Sequence, residues 1–230
     1  MVTSVHLADV RASSTLRLLR TKLTAEEVPG LRYAETLVAA PLSSHLLPAP
    51  RPKRIGLIAA WEDDAAVDRF LASHPVAEEL AGGYRVRLEP VRIVGAWPEL
   101  GELPLTAAGK GQAAHSTDAG VWEGPAAVLT LGRLRLRRGP AFLRASAHAE
   151  GDALRSPGLL LATGLAHPPR IVVTFSLWSD VASMRAYVER RGAGHREATT
   201  KHAARPFHSQ SAFIRFRPYE ESGSWHPPGT

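Results

Sequence analysis

The chain has 230 residues, 44% of them hydrophobic, no cysteine and a formal net charge of +6. That length suits one large domain or two small ones of roughly 100–150 residues each. The absence of cysteine excludes disulfides, thiolate nucleophiles, iron–sulfur ligation and Cys-type zinc sites, so any bound metal or haem must rely on His, Tyr, Asp or Glu. The positive charge is carried by arginine, since the only lysines are Lys22, Lys53, Lys110 and Lys201. No zinc-finger, RNA-recognition or helix-turn-helix signature accompanies it, and nucleic acid is not an expected partner. No apolar run approaches the roughly 20 residues of a membrane span, and MVTSVHLADVR does not read as a secretory leader. A cytoplasmic protein without a transmembrane segment is expected, as a monomer or homodimer.

In chain order, alternating apolar and polar residues predict a strand over Val2–Val10. A helix follows around Ser13–Val28, then strands at Leu31–Ala39 and Ile55–Trp61. Asp63 or Asp64 suits the N-cap of a helix whose Val67, Phe70 and Leu71 face a sheet. The strand Tyr84–Val94 closes this set. Pro98–Gly124 is rich in Gly, Pro, Ala and Ser and reads as a linker. The sequence then repeats: a strand over Ala126–Leu136, a helix around Pro140–Leu154, strands at Leu159–Leu165 and Ile171–Trp178, an Asp180-capped helix carrying Val181, Met184 and Val188, and a last strand near Ala212–Arg217.

Several landmarks recur in the same order. Pro29-Gly30-Leu31 matches Pro157-Gly158-Leu159, and Arg54-IGLIAAW matches Arg170-IVVTFSLW. Gly95-Ala96-Trp97 matches Gly223-Ser224-Trp225. The expected fold is therefore α+β: a tandem duplication of a ferredoxin-like βαββαβ module, with the two copies forming an intramolecular α/β barrel. Residues 1–97 form the first module and serve as scaffold. Residues 98–124 link it to a second module, 125–230, expected to hold the active site.

The candidate chemistry lies in the second module. On the strand Ile171–Trp178, Val172, Thr174, Ser176 and Trp178 share one face, and Val173, Phe175 and Leu177 share the other. Two hydroxyls and an indole on one face can satisfy backbone groups or donate to a ligand. His195 follows a helix break at Gly192-Ala193-Gly194. His167, in Ala-His-Pro-Pro, is expected in a loop. The run Gly132–Arg138 alternates Arg with Leu and reads either as a charged edge strand or as an anion site. No nucleophile elbow, phosphate loop or dinucleotide fingerprint is present.

Thr174-Phe175-Ser176-Leu177-Trp178-Ser179-Asp180-Val181-Ala182-Ser183-Met184, then His195, Phe213-Ile214-Arg215-Phe216 and Gly223-Ser224-Trp225, together resemble the spheroidene monooxygenase family. That resemblance implies a haem-dependent monooxygenase-like oxidoreductase acting on a small organic substrate, a carotenoid or another secondary metabolite. It implies haem b held in the second module with His195 as the iron ligand. Phe175, Trp178, Met184 and Phe213 would line the cofactor, while Thr174, Ser176 and Arg215 would act on substrate or oxygen. An electron-donor protein is a possible partner. The alternatives are a haem-dependent dehydratase or N–N bond-forming enzyme of the same fold, and a cofactor-free monooxygenase or small-molecule-binding barrel.

Overall fold

The computed structural model describes residues 1–40, 53–101, 103, 122–190 and 207–225, with the side chains of 147–150 outside that description. Eight strands carry the fold: β1 (Val2–Asp9), β2 (Leu31–Ala40), β3 (Arg54–Trp61), β4 (Tyr84–Gly95), β5 (Ala126–Leu134), β6 (Leu159–His167), β7 (Ile171–Trp178) and β8 (His208–Ser222). The helices are α1 (Ala12–Arg20), α2 (Asp64–Ser73), α3 (Pro75–Leu80), α4 (Gly139–Leu154) and α5, helical over 181–190. The strands close into one barrel in the order β1-β3-β2-β6-β7-β5-β8-β4, each described pair antiparallel. Within each half the spatial order is fourth, first, third, second. The halves join at two seams, β2 with β6 and β4 with β8.

Closure gives every strand an inner and an outer face, and the side-chain period of two sorts residues between them. Val5, Leu7, Leu37, Ile58, Leu88, Leu129, Phe175, Ile214 and Phe216 point inward and form one core drawn from both halves. Outside the first half, Leu18 of α1, Val67 and Phe70 of α2, and Val76 and Leu80 of α3 pack on Ile55, Leu57, Ala59 and Trp61. β3 is buried on both faces, which explains its nearly unbroken apolar run. Outside the second half, the described residues that pack together are Ala126, Val128, Trp178, Val181 and Met184, flanked by Tyr187 and Phe213.

Several sequence expectations change. The first helix ends at Arg20 rather than Val28, because a turn held by Thr24 precedes Pro29 and Gly30, whose φ of 85° lies in the left-handed region. The closed barrel has no edge strand, and β5 stops at Leu134, so the arginines of 133–138 do not share a face. Arg133 turns inward to Glu99 and Gln210, Arg135 donates to the His208 carbonyl, and Arg137 and Arg138 lie in a 3₁₀ turn. His167 is the last residue of β6, not a loop residue, because its pairing with Ile171 extends the β6–β7 hairpin. β8 runs well past the expected Ala212–Arg217, since it pairs with β5 on one side and β4 on the other.

The halves correspond closely. Gly30 and Gly158 both have positive φ, 85° and 80°, and at each a Cβ would fall 2.5 Å from a helix side chain, Ala66 or Ser183. Their carbonyls accept from Glu62 and Ser179, each at 2.8 Å. Asp63 caps α2 by accepting from Ala66 N at 2.8 Å, and Asp180 caps α5 by accepting from Ser183 N at 2.6 Å. Trp61 sits 5.0 Å from Phe70, and Trp178 stacks on Tyr187 at 5.2 Å.

Candidate functional site on the outer face of the second half

Thr174, Ser176 and Trp178 lie on the outer face of β7, beneath the helices of the second half. Phe213 and Arg215 of β8 share this face, since Phe213 pairs with Thr130, and Arg215 with Val128. Met184 of α5 packs down onto Trp178 and Val128. Phe175 does not join them: the barrel's closure turns it inward, fully buried with Leu129 and Ile214. It separates from the other cofactor-lining candidates because adjacent residues of a strand face opposite ways. His195 lies outside the described residues.

Ser176 Oγ accepts from Trp178 Nε1 at 3.0 Å, which fixes the indole over the end of the sheet. Thr174 and Ser176 are half-buried, and Thr130, at the middle of a central barrel strand, is exposed. Gly132 lies further along β5. His208, which the sequence reading passed over, lays its ring over Gly132, where a Cβ would stand 2.5 Å from the imidazole. Phe142 of α4 meets that imidazole edge-on at 5.3 Å. Between the end of α4 and α5 opens a cleft of about 410 Å³, lined by Asp152, Arg155, Ser156, Pro157, Tyr187 and Arg190.

Register identifies the first-half counterpart of each residue. The pairs Val2↔Trp61 and Ala126↔Trp178 align the halves, so His6 corresponds to Thr130, Ala59 to Ser176 and Leu57 to Thr174. In the first half these positions are closed. Ser4 Oγ accepts from Trp61 Nε1 at 2.8 Å and lies within hydrogen-bond distance of His6 Nε2, 3.1 Å away. Burial, and then the charges of Arg85 and Arg87, push His6 down to about 4. The second half replaces this packed, apolar and imidazole-bearing floor with small hydroxyls and an uncovered threonine.

The arginines differ in the same way. Arg87 faces Ser4, and Arg215 faces the corresponding Val128, so the two occupy equivalent places, 8% and 7% exposed. Arg87 donates to Asp64 at 2.8 Å, and also pairs with Asp68 and Glu220. Counted from the tryptophans, Val181 stands where α2 has Asp64, and Arg185 stands where it has Asp68. Arg185 and Arg92 therefore act on Arg215 as like charges. Burial, then Arg185 and Arg92, hold it below the usual guanidinium range, with Glu123 opposing.

A separate polar group lies at one end of the barrel interior. His167 Nδ1 approaches Glu35 Oε1 at 2.6 Å and the Thr36 carbonyl at 3.0 Å, and Tyr33 OH donates to Glu35 Oε2 at 3.5 Å. Two acceptors around Nδ1 place a proton there. Burial raises Glu35 above the usual carboxylate range, against the opposing effect of His167. Arg133 lies over the Trp97 ring at 5.3 Å beside this group.

Among the described residues no group of three His, Asp or Glu side chains is arranged to hold a metal ion, and no helix is long and apolar enough to cross a membrane. No family model matches the sequence. Spheroidene monooxygenase from Rubrivivax gelatinosus is 34% identical over 200 residues, which cover 86% of this chain and 72% of that protein. The chain belongs to the spheroidene monooxygenase family. Two solved structures align along nearly the whole chain. One is a candidate monooxygenase from Fusobacterium nucleatum, with TM-score 0.40, 12% identity, and 96% and 94% of the two chains covered. The other is an anthrone oxidase-like protein, with TM-score 0.35, 12% identity, and 96% and 92% covered. The fold described for this member of the spheroidene monooxygenase family rests on its own strand register rather than on those likenesses.

Proposed function

We propose that the chain is a monooxygenase-type oxidoreductase that binds a small organic substrate on the outer face of its second half, with haem b as cofactor. The two halves are read as copies of one ferredoxin-like module, of which the first became scaffold and the second kept the site. The observation that carries the reading is the difference in cover. At His6, Leu57 and Ala59 the first half is sealed by α1–α3, whereas Thr130, Thr174 and Ser176 are left partly open.

Three features support a planar, largely apolar ligand on this face. The floor is small-residue (Gly132, Thr130, Thr174, Ser176), the far wall is apolar (Met184, Phe213, Trp178), and Arg92 and Arg215 pair across the β4–β8 margin. Of the described histidines, His208 lies on this face. His195 is the proposed iron ligand, a neutral imidazole being an ordinary axial donor. Haem would supply the redox chemistry for activating dioxygen. The chain's own groups then do the rest: the Thr174 hydroxyl can donate to a polar substrate atom, Arg215 can orient an anionic one, and the Trp178–Ser176 pair keeps one end of the face shut. The family relationship supports a carotenoid or a comparable secondary metabolite as the substrate class.

The test is the absorption spectrum of the full chain reconstituted with hemin. A Soret band that shifts or vanishes in His195→Ala, together with substrate-dependent oxygen uptake by the wild type, is the expected result. Failure of the wild type to bind hemin would overturn the haem assignment.

A further inference from the structure

Each end of the barrel carries a tryptophan from the segment after β4 or β8, with an arginine over its ring. Trp97 lies under Arg133 at 5.3 Å, and Trp225 under Arg54 at 4.5 Å. Each arginine is paired with an acid, Glu99 or Asp9. The interior positions beside them differ. Leu31 pairs with Trp61 and Leu159 with Trp178, which aligns β2 with β6. Tyr33, Glu35 and Ala39 then correspond to Leu161, Thr163 and His167. At one end Tyr33 and Glu35 meet His167; at the other the same places hold Leu161, Thr163 and Ala39, and the Thr163 hydroxyl donates to the Ala40 carbonyl at 3.2 Å. Closing an end therefore does not require an imidazole held by a carboxylate.

The group at the first end is arranged to accept a proton. A backbone carbonyl can only accept, so the Thr36 oxygen 3.0 Å away keeps a proton on His167 Nδ1, and Glu35 Oε1 stands 2.6 Å from the same nitrogen. Nε2 is then the basic nitrogen of the neutral ring, and it meets no hydrogen-bonding group among the described residues. The His167 side chain is 34% exposed and that of Glu35 18%, so the imidazole is the more accessible of the two. Burial raises the Glu35 carboxyl and His167 opposes the rise, so a cation on the imidazole favours this carboxylate. Arg133 does not take that place, being engaged by Glu99 and Gln210. Partly buried Tyr33, Ile93 and Ile171 give this end apolar area. Thr3, two strands from Tyr33 across Ala60, has a buried hydroxyl without a hydrogen-bond partner among the described residues, so polar capacity here exceeds what those groups use.

We propose that this end of the barrel binds a small aromatic hydroxyl compound, a phenol, and that His167, oriented by Glu35, takes its proton. The O–H bond breaks with its electron pair left on oxygen, an N–H bond forms at Nε2, and no redox step is involved. A phenol suits the site because its acidity comes within reach of an imidazole, whereas an aliphatic alcohol's does not. The site is separate from the outer face of the second half and does not depend on haem.

The probe is 4-nitrophenol, whose ionised form absorbs in the visible, titrated into the full chain without hemin at a pH below the probe's own pKa. The wild type is expected to bind it and to raise its phenolate fraction above that of the free probe. 4-Nitroanisole, which has no proton to give, should compete at least about tenfold more weakly. Both readouts use the wild type and so do not depend on a variant's folding. Glu35→Gln keeps an acceptor for Nδ1 and should still bind the probe, but in its neutral form. His167→Gln should lose the phenolate signal and about tenfold in affinity. Thr174→Leu, on the outer face, should titrate as the wild type does. Absence of a phenolate signal in the wild type, anisole binding as tight as that of the phenol, or an unchanged signal in His167→Gln overturns the proposal. Loss of the signal in Thr174→Leu also overturns it, because the probe would then sit on the outer face.

Discussion

The two halves of this barrel share a strand order, a glycine against a helix, an aspartate cap and a tryptophan, yet they use their outer faces differently. In the first half the face is a second hydrophobic core with one buried imidazole in it. In the second half the same register positions carry hydroxyls, an exposed threonine and converging arginines. The same strand register thus supports two different outer faces: helix side chains bury the first, and at the matching positions of the second Thr130 is exposed and Thr174 and Ser176 are half-buried.

The largest expected difference concerns acid. His6 is held neutral with its affinity for protons lowered to about 4, whereas an unfolded histidine titrates near 6.5. The unfolded chain therefore takes up a proton that the folded chain refuses. This contribution to stability is fully present above pH 6.5 and is lost as pH falls towards 4, by about 3 kcal/mol. His6→Gln should shrink the loss in urea stability between pH 7 and 4.5 relative to wild type. An unchanged loss would mean that His6 is not the group that makes the first half acid-sensitive.

A smaller effect separates the arginines. Arg87→Gln leaves three carboxylates without their shared cation and should cost about 2 kcal/mol, discounted for the exposure of Asp64, Asp68 and Glu220. Arg215→Gln should cost clearly less in the ligand-free protein, because it also removes repulsion with Arg92 and Arg185. Chemical denaturation of the two variants measures this directly, and equal costs would erase the electrostatic contrast between the halves.

The smallest stability effect is expected where the second half is remade in the image of the first. Thr174→Leu installs the residue found at the equivalent Leu57 and should shift stability by no more than about 0.5 kcal/mol, as a half-exposed position allows. Its effect on hemin binding should be larger, about tenfold weaker by Soret titration. Unaltered binding would move the ligand off this face.

Much of the fold was legible in the sequence. The strand alternation, the cap residues Asp63 and Asp180 and the paired Pro-Gly-Leu and Gly-x-Trp landmarks are local signals, set by neighbours a few residues apart. The shared face of Thr174, Ser176 and Trp178, on which the candidate site is drawn, was legible for the same reason, because a strand repeats every two residues. The family was visible too, because the motifs around β7 and β8 are contiguous.

What the sequence could not assign was which face of each strand looks into the barrel and which lies under the helices, since both faces are partly apolar and a period of two labels them alike. Only closure put Phe175 inside, away from the residues it was grouped with. Closure likewise excluded the edge-strand reading of Gly132–Arg138, one of the two the sequence left open, and brought His167 to Glu35. Arg92 meets Arg215 through the β4–β8 register, and His208 covers Gly132 through the β5–β8 pairing. Contacts between distant segments are fixed by pairing across the barrel, and local pattern carries no record of them. The chain by itself determined two similar halves, the expectation that they differ, and a family; the tertiary structure decided which strand faces differ, because helices seal the outer face at His6, Leu57 and Ala59 and leave Thr130, Thr174 and Ser176 partly exposed.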